Sequence, residues 1–107
     1  MPRMTGAAVS VAANSVSTNQ VAGQLYEFVN GQPILLAAVG SATGLNVTLL
    51  VGGVALINDQ PISGANRFPV LPDDAVTALR RAVGRIILTF RNTTAGALTV
   101  NWTMDVG

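Results

Sequence analysis

Regular alternation of apolar and polar residues is the feature of this 107-residue chain that most constrains its fold. Apolar residues occupy every second position of 86–90 and again of 98–106. Side chains along a β-strand point to opposite faces in turn, so this period predicts strands with one buried face. The two runs are joined by about five residues at Asn92–Gly96. They therefore predict an antiparallel hairpin that buries Phe90 and Trp102.

Strand and turn signals of the same kind fill much of the remaining chain. The β-prone run Gln24–Val29 ends at Asn30-Gly31. This pair predicts a hairpin turn, because a type I′ turn needs positive φ at both positions. Leu45–Val51 alternates, and Gly52-Gly53 predicts a second tight turn before Val54–Ile57 returns. Seven or eight short strands at this spacing predict a β-sandwich, a jelly roll or a small barrel.

One segment, residues 72–83, carries helical signals instead. Pro72 suits a first helical position, and Asp73 and Asp74 favour the positive end of a helix. Apolar residues follow at spacings of three and four. The predicted fold class is therefore an all-β, single-domain antiparallel β-sandwich over residues 1–107, jelly-roll-like, with at most one short helix near residues 72–83.

Residues 1–20 are rich in small and polar residues and lack helical periodicity. They are either an extended N-terminal arm that reaches a neighbouring subunit or an ordinary chain terminus. The residues after Met1 lack the apolar stretch of a signal peptide. Residues 45–57 form the most apolar stretch, but it is interrupted and too short to span a bilayer. We therefore expect no membrane partner.

Charged residues are scarce, at 10% of the chain, while 50% of residues are hydrophobic and the mean hydropathy is +0.49. Soluble domains usually carry about a quarter charged residues. We therefore expect partners to cover some apolar surface; the alternative is a monomer covered by uncharged polar side chains. All six cations are arginine, which reflects either interface chemistry or a GC-rich genome. A net charge of +1 is too small for nucleic-acid binding.

Groups suited to catalysis are also scarce. The chain has no His and no Cys, and its five carboxylates show no spacing that would bring two into one cleft. Asp73-Asp74 could bind a hard cation, but a helix start explains the pair better. Asn46, Asn92 and Asn101 begin Asn-x-Thr sequons, which we attribute to chance. We expect no enzyme activity, no cofactor, no metal site and no small-molecule substrate.

Contact residues are predicted from three elements and one aromatic side chain. The elements are the N-terminal arm, the loop 62–71 and the outward face of the strand near residue 87. Tyr26 is the best candidate for an exposed aromatic contact. Ile87 points outward between two arginines, as on an interface strand or on a strand covered by a second sheet. The predicted interface residues are Val9, Val11, Tyr26, Phe68, Val70 and Ile87.

A family resemblance rests on Gly84–Val106, whose sequence is GRIILTFRNTTAGALTVNWTMDV. It looks like the closing hairpin of small bacteriophage virion proteins: jelly-roll-type capsid, cement (decoration) or minor capsid proteins. The shared features are a long alternating strand, an Asn-Thr-Thr-Ala-Gly turn and a strand with a tryptophan. The resemblance implies a place in the capsid shell and transfers no functional residues.

The sequence therefore predicts a non-enzymatic structural protein of a virus particle, a cement, decoration or minor capsid component. Its expected partners are copies of itself, with a trimer favoured, and a major capsid protein or another virion protein. Weakly charged contact surfaces and closed symmetry suit such a role. One alternative is a carbohydrate- or receptor-binding β-sandwich of a tail fibre or secreted protein. Another is a fibre subunit that donates residues 1–20 as a strand.

Overall fold

The computed structural model describes residues 3–24, 26–69, 74–76 and 80–106. These residues form six β-strands in one antiparallel sheet with the order β1-β6-β2-β5-β3-β4, and they contain no helix, hence none that could span a membrane. The all-β prediction is confirmed. The strands are β1 (Arg3–Val11), β2 (Phe28–Gly40), β3 (Leu45–Val51), β4 (Val54–Pro61), β5 (Arg80–Asn92) and β6 (Leu98–Val106).

Two strands of 13 residues, β2 and β5, explain why the described residues contain fewer strands than the seven or eight predicted. The first half of β2, residues 28–34, pairs with β5, and its second half, residues 34–40, pairs with β6. Likewise β5 pairs with β2 over residues 80–85 and with β3 over residues 86–92. Each long strand therefore belongs to two parts of the sheet, which fold around one core in a sandwich-like arrangement.

The chain between β1 and β2 runs along the second half of β5. The backbone N–H of Ser17 donates to the carbonyl of Phe90 at 2.8 Å, and that of Gln20 donates to Leu88 at 2.9 Å. The N–H of Asn92 in turn donates to the carbonyl of Ser15 at 2.8 Å. The described residues of the predicted arm, 3–20, thus pack on their own chain, first on β6 and then on β5.

Apolar side chains from all six strands form the core. Burying one large apolar side chain stabilises a fold by about 1.5–3 kcal/mol. Phe90 and Trp102 are both in this core, as their alternation predicted. The largest fully buried side chains include Trp102, Phe90, Ile34, Leu36, Leu45, Leu49, Ile86, Leu88 and Met104.

The predicted hairpin between the last two strands is wrong, although their buried faces are right. β5 pairs with β2 and β3, and β6 pairs with β1 and β2. The loop between them crosses from one part of the sheet to the other. Asn92, the last residue of β5 before this loop, is 1% exposed, and its Nδ2 donates to the carbonyls of Val11 at 3.1 Å and Gly96 at 2.8 Å. Alternation within a strand determines which of its faces is buried. It does not determine which other strand it pairs with, because pairing depends on distant residues.

The two predicted glycine turns have different outcomes. Gly52-Gly53, with φ of 57° and 84°, forms the predicted tight turn between β3 and β4. The turn predicted at Asn30-Gly31 is wrong, because β2 continues through both residues. Gly31 has a φ of 85°, and the register with β5 shifts between Asn30 and Pro33. Its positive φ therefore serves a β-bulge inside a strand.

The predicted helix is contradicted at its C-terminal end, because residues 80–83 belong to β5. Ala75 forms an antiparallel bridge with Ala37, and the Val76 N–H donates to the carbonyl of Leu36 at 2.8 Å. The rest of the helical segment, residues 72–73 and 77–79, lies outside the described residues. The second half of β2 does not pair with β5. Residues 74–76 supply hydrogen bonds to it instead, because buried backbone groups need partners.

Candidate interaction surface

Four ion pairs engage four of the five carboxylates of this chain. Each pair joins one arginine to one acid, and the fifth acid, Asp73, lies outside the described residues. Four of the six arginines thus bind acids of their own chain. The four pairs, with their shortest distances, are Arg3–Asp105 at 2.6 Å, Arg67–Asp74 at 2.9 Å, Arg85–Glu27 at 2.6 Å and Arg91–Asp59 at 2.7 Å.

The pair between Arg3 and Asp105 joins directly opposite residues of β1 and β6. The Arg3 Nε and Nη2 donate to the two carboxylate oxygens of Asp105, at 2.6 and 3.1 Å. This hydrogen bonding holds the pKa of Asp105 below its ordinary value, against the opposing effect of burial. Such a fork-to-carboxylate geometry is directional as well as attractive. It fixes the register of β1 on β6.

Two further carboxyl groups also have lowered pKa values. The pKa of Asp59 is lowered mainly by its hydrogen bonds from Arg91, which reaches across the sheet from β5 to β4. The pKa of Glu27 is lowered first by the backbone N–H of Gly23 and then by Arg85. Hydrogen bonds to a carboxylate favour its charged form. Both acids are therefore held ionised, which suits them to structural pairing and not to proton transfer.

A cavity of about 320 Å³ lies beside the Arg67–Asp74 pair. The guanidinium binds Asp74 through two hydrogen bonds, at 2.9 and 3.2 Å, and the carboxylate is almost fully buried. Asp74 lies in the turn that bridges to β2, and the helix start predicted for it is not present there. Across the described ranges, no group of three or more potential metal-ligating side chains occurs. The cavity is lined by Ala38, Gln60, Pro61, Ile62, Ser63, Asp74, Ala75 and Val76.

The predicted interface residues fall on several elements. Val11 is 1% exposed and packs in the core, and its contact role stays a prediction. Val9 on β1 and Tyr26 before β2 are half-buried against the core, and Ile87 on β5 is half-buried as well. Phe68 is 47% exposed. Val70 lies outside the described residues.

An exposed apolar surface that the sequence did not predict lies where β2 meets β5. Phe28 is 66% exposed and Val83 is 62% exposed. Phe28 is opposite Arg85 and Val83 is opposite Asn30, so the two apolar side chains are diagonal neighbours on one face. The sequence feature that could have revealed this surface is the consecutive apolar pair Phe28-Val29. Neighbouring residues of a strand face opposite sides, so Phe28 is exposed because Val29 is buried.

The tip of the β3–β4 hairpin lies next to this surface. A side chain at Gly52 would collide with the backbone carbonyl of Val83, so the hairpin tip lies against β5 there. Val54, directly after the turn, is 58% exposed, but it is opposite Val51 and so belongs to the other face of the sheet. We call Phe28 and Val83 the apolar patch. Arg81, which is also exposed, borders it and donates from Nη1 to the carbonyl of Gly31 at 3.2 Å.

Comparison with known protein families, with characterised proteins and with solved structures finds no match for this chain.

Proposed function

We propose that this chain is a non-enzymatic structural protein of a virus particle, a cement, decoration or minor capsid component of the shell. It binds copies of itself, with a trimer favoured, and a major capsid protein or another virion protein. The observation that carries the proposal is the apolar patch, whose two side chains are each more than half exposed. Apolar side chains enriched in one place on a surface mark contacts with other proteins.

The position of the patch on regular strands supports a contact role. Phe28 and Val83 lie on the paired strands β2 and β5. Side chains on such elements are already ordered before binding, so less conformational entropy is lost when a partner covers them. The neighbouring arginines are already engaged, since Arg85 binds Glu27 and Arg81 donates to the carbonyl of Gly31. A partner that covers this face therefore meets paired charges and not isolated ones.

The engagement of the carboxylates supports a role without catalysis. General acid–base chemistry needs a group whose pKa lies near the working pH. In this chain His and Cys are absent from the sequence, and the pKa values of Glu27, Asp59 and Asp105 are lowered further from neutrality. These acids favour a framework function over proton transfer.

The solution mass of the purified chain, measured by light scattering at two concentrations, tests self-assembly. We expect a discrete oligomer that persists on dilution. The double variant Phe28→Ser, Val83→Thr should shift the mass toward the monomer while thermal unfolding stays cooperative. Val16→Thr is the matched control, because Val16 is 58% exposed but lies along the second half of β5. A wild-type monomer at both concentrations, or equal effects of the two variants, would contradict the proposal.

A second measurement tests the place in the particle. Cells that encode this chain should release particles that band in a density gradient, and mass spectrometry should find the chain there at a fixed ratio to the major shell protein. Particles that lack the chain would contradict a virion role while leaving self-assembly intact.

The cavity beside Arg67–Asp74 is the observation that favours the second candidate, a ligand-binding module of a tail fibre or secreted protein. Gln60 and Ser63 offer polar groups at its wall. A glycan array is the direct test. Binding that Ser63→Ala abolishes would favour this candidate, and an array without binding, beside evident self-association, would reject it.

A further inference from the structure

We propose that β1 is exchanged between copies of this chain, so that Arg3–Val11 of one copy pairs with β6 of another. The proposal rests on the self-assembly proposed above and adds a second element to it, beside the contact made by the apolar patch. Four observations carry it: the fit of β1 to β6, the unsatisfied groups beneath β1, the conformation of the short connection that follows it, and the terminal position of the strand.

The fit of β1 to β6 defines which strand can occupy this edge. Arg3 forms its two-point ion pair with Asp105 at one end of the strand. Gly6 lies opposite Trp102, and any side chain at position 6 would collide with the indole ring. An occupant therefore needs an arginine and a glycine three residues apart in this register. Residues 3–11 of this chain meet that requirement, whether they come from the same copy or another.

The interface beneath β1 is incompletely satisfied. In the described part of the chain, the buried side-chain polar atoms without a hydrogen-bond partner are the Nε1 of Trp102 and the Oγ1 of Thr103. Both residues lie on β6, opposite Gly6 and Thr5. A buried donor or acceptor without a partner is costly. These two groups reduce the free energy that holds β1 on β6. Release of β1 therefore costs less than expected for a strand of its length.

The backbone of β1 is also strained. Ala8 has a φ of 50°, a left-handed conformation that is unfavourable for a residue with a Cβ. It lies in a bulge where the register with β6 shifts between Gly6 and Val9. Release of β1 allows Ala8 to return to an ordinary conformation, which lowers the barrier to exchange further.

The connection after β1 is short and constrained. Val11 accepts a hydrogen bond from Asn92, and the Asn14 N–H already donates to the carbonyl of Thr94 at 3.0 Å. Ala12 and Ala13 are thus left to turn the chain, and Asn14 has a φ of 52°. Short connections under strain favour exchange, because the connection can extend when its strand pairs with another copy. β1 is also the terminal strand of the sheet, so the other five strands keep their order when it leaves.

Exchange retains every contact between β1 and β6 and adds contacts between copies. Two copies that exchange β1 reciprocally form a closed dimer, and three that pass it in one direction form a closed trimer. In both cases each copy loses no pairing and the chains become linked. The exchange links the chains and the apolar patch supplies the contact between them, so both elements stabilise the oligomer.

Paired cysteines test the exchange directly, because the chain has no cysteine of its own. Thr5→Cys with Thr103→Cys places two thiols opposite each other across β1 and β6. Leu50→Cys with Ala55→Cys does the same across the β3–β4 hairpin, where both strands belong to one copy. Each protein is treated at high concentration with an oxidant and, separately, with a short bis-maleimide, and then denatured without reductant. We expect covalent dimers or trimers from the first pair and cross-linked monomers from the second.

The outcomes separate this proposal from the proposed function. If light scattering shows an oligomer while the Thr5–Thr103 pair links only within single chains, assembly uses another surface and β1 exchange is wrong. If the chain is a monomer at every concentration, both proposals are wrong. Insertion of three glycines between Ala12 and Ala13 gives an independent measurement. It should weaken self-association at least tenfold by relaxing the connection, and an unchanged oligomer would overturn the exchange.

Discussion

The sheet has two edge strands, β1 and β4, and the chain secures them in different ways. β4 follows β3 through a tight turn, and its register shifts twice along its length. Asp59 with a φ of 53° and the terminal Pro61 make it a poor template for another strand. β1 has no such turn and pairs with a strand some hundred residues away, through Arg3 and Asp105. The comparison shows that one edge is protected against added strands while the other depends on a single distant partner.

The largest expected effect comes from the apolar anchor of β1. Met4 is 4% exposed in the core, so Met4→Ala should lower the free energy of unfolding by about 2–5 kcal/mol. Thr5→Ala, at the exposed neighbouring position, should change it by less than about 0.5 kcal/mol. Urea denaturation at a fixed protein concentration measures both. A loss below about 1 kcal/mol for Met4→Ala would mean that β1 contributes little to the cooperative core.

The next largest difference in stability is expected between alanine substitutions of Gly6, on β1, and Gly53, in the turn before β4. Gly6→Ala forces the indole of Trp102 or the backbone of β1 to move and should cost about 1–3 kcal/mol. Gly53 has open space for a Cβ but a φ of 84°, so Gly53→Ala should cost about 1 kcal/mol from conformation alone. Thermal unfolding of the two variants ranks them. A larger loss at Gly53 would show that β1 can shift away from Trp102 without cost.

Removal of one carboxylate charge at each edge sharpens the comparison further. Asp105 has a side chain only 9% exposed, whereas that of Asp59 is 43% exposed. Asp105→Asn should therefore lower the urea midpoint at pH 7 more than Asp59→Asn does, because solvent screens the exposed pair. Equal shifts would indicate that the Arg3–Asp105 pair contributes no more than a surface ion pair.

The smallest effect is the pH dependence of these pairs. The pKa values of Asp105 and Asp59 are lower in the folded chain than their ordinary value of 3.8. On acidification the unfolded chain therefore binds protons first, so the stability from both groups is complete above about pH 4 and is lost as pH falls through the lowered pKa values. The urea midpoint should fall below pH 4, and less steeply in Asp105→Asn. An unchanged slope in that variant would remove Asp105 from the acid response.

Sequence patterns predicted the burial of side chains better than the pairing of strands. The alternation around Phe90 and Trp102 gave the correct buried faces, because the face is a local property of each strand. The two strands were predicted to pair with each other, whereas each pairs with other strands. Pairing depends on distant residues, which a local pattern does not reveal. The same limit explains Gly31 and Gly52. Both have a positive φ, but Gly31 is in a bulge and Gly52 is in a turn. The difference depends on how far the paired strands extend.

The candidate surface was harder to predict than the core. The exclusive use of arginine was attributed to interface chemistry or to a GC-rich genome, whereas four of the arginines bind acids that lie between 7 and 102 residues away in the sequence. No local pattern reveals such pairs. Val83 lies in the segment 72–83 that carries helical signals, so its position beside Phe28 was not predictable until β5 was known to start at Arg80.

The buried amide of Asn92 has a consequence for how the chain can be produced. Its Nδ2 holds two carbonyls, its Oδ1 accepts from the backbone N–H of Thr94 at 2.9 Å, and almost none of the residue is accessible. Asn92 also begins one of the three sequons. In a eukaryotic secretory pathway a glycan can be attached before folding is complete, and the loop between β5 and β6 has no room for one. Secreted material glycosylated at Asn92 should therefore fail to fold, whereas bacterial cytoplasmic expression avoids the modification altogether.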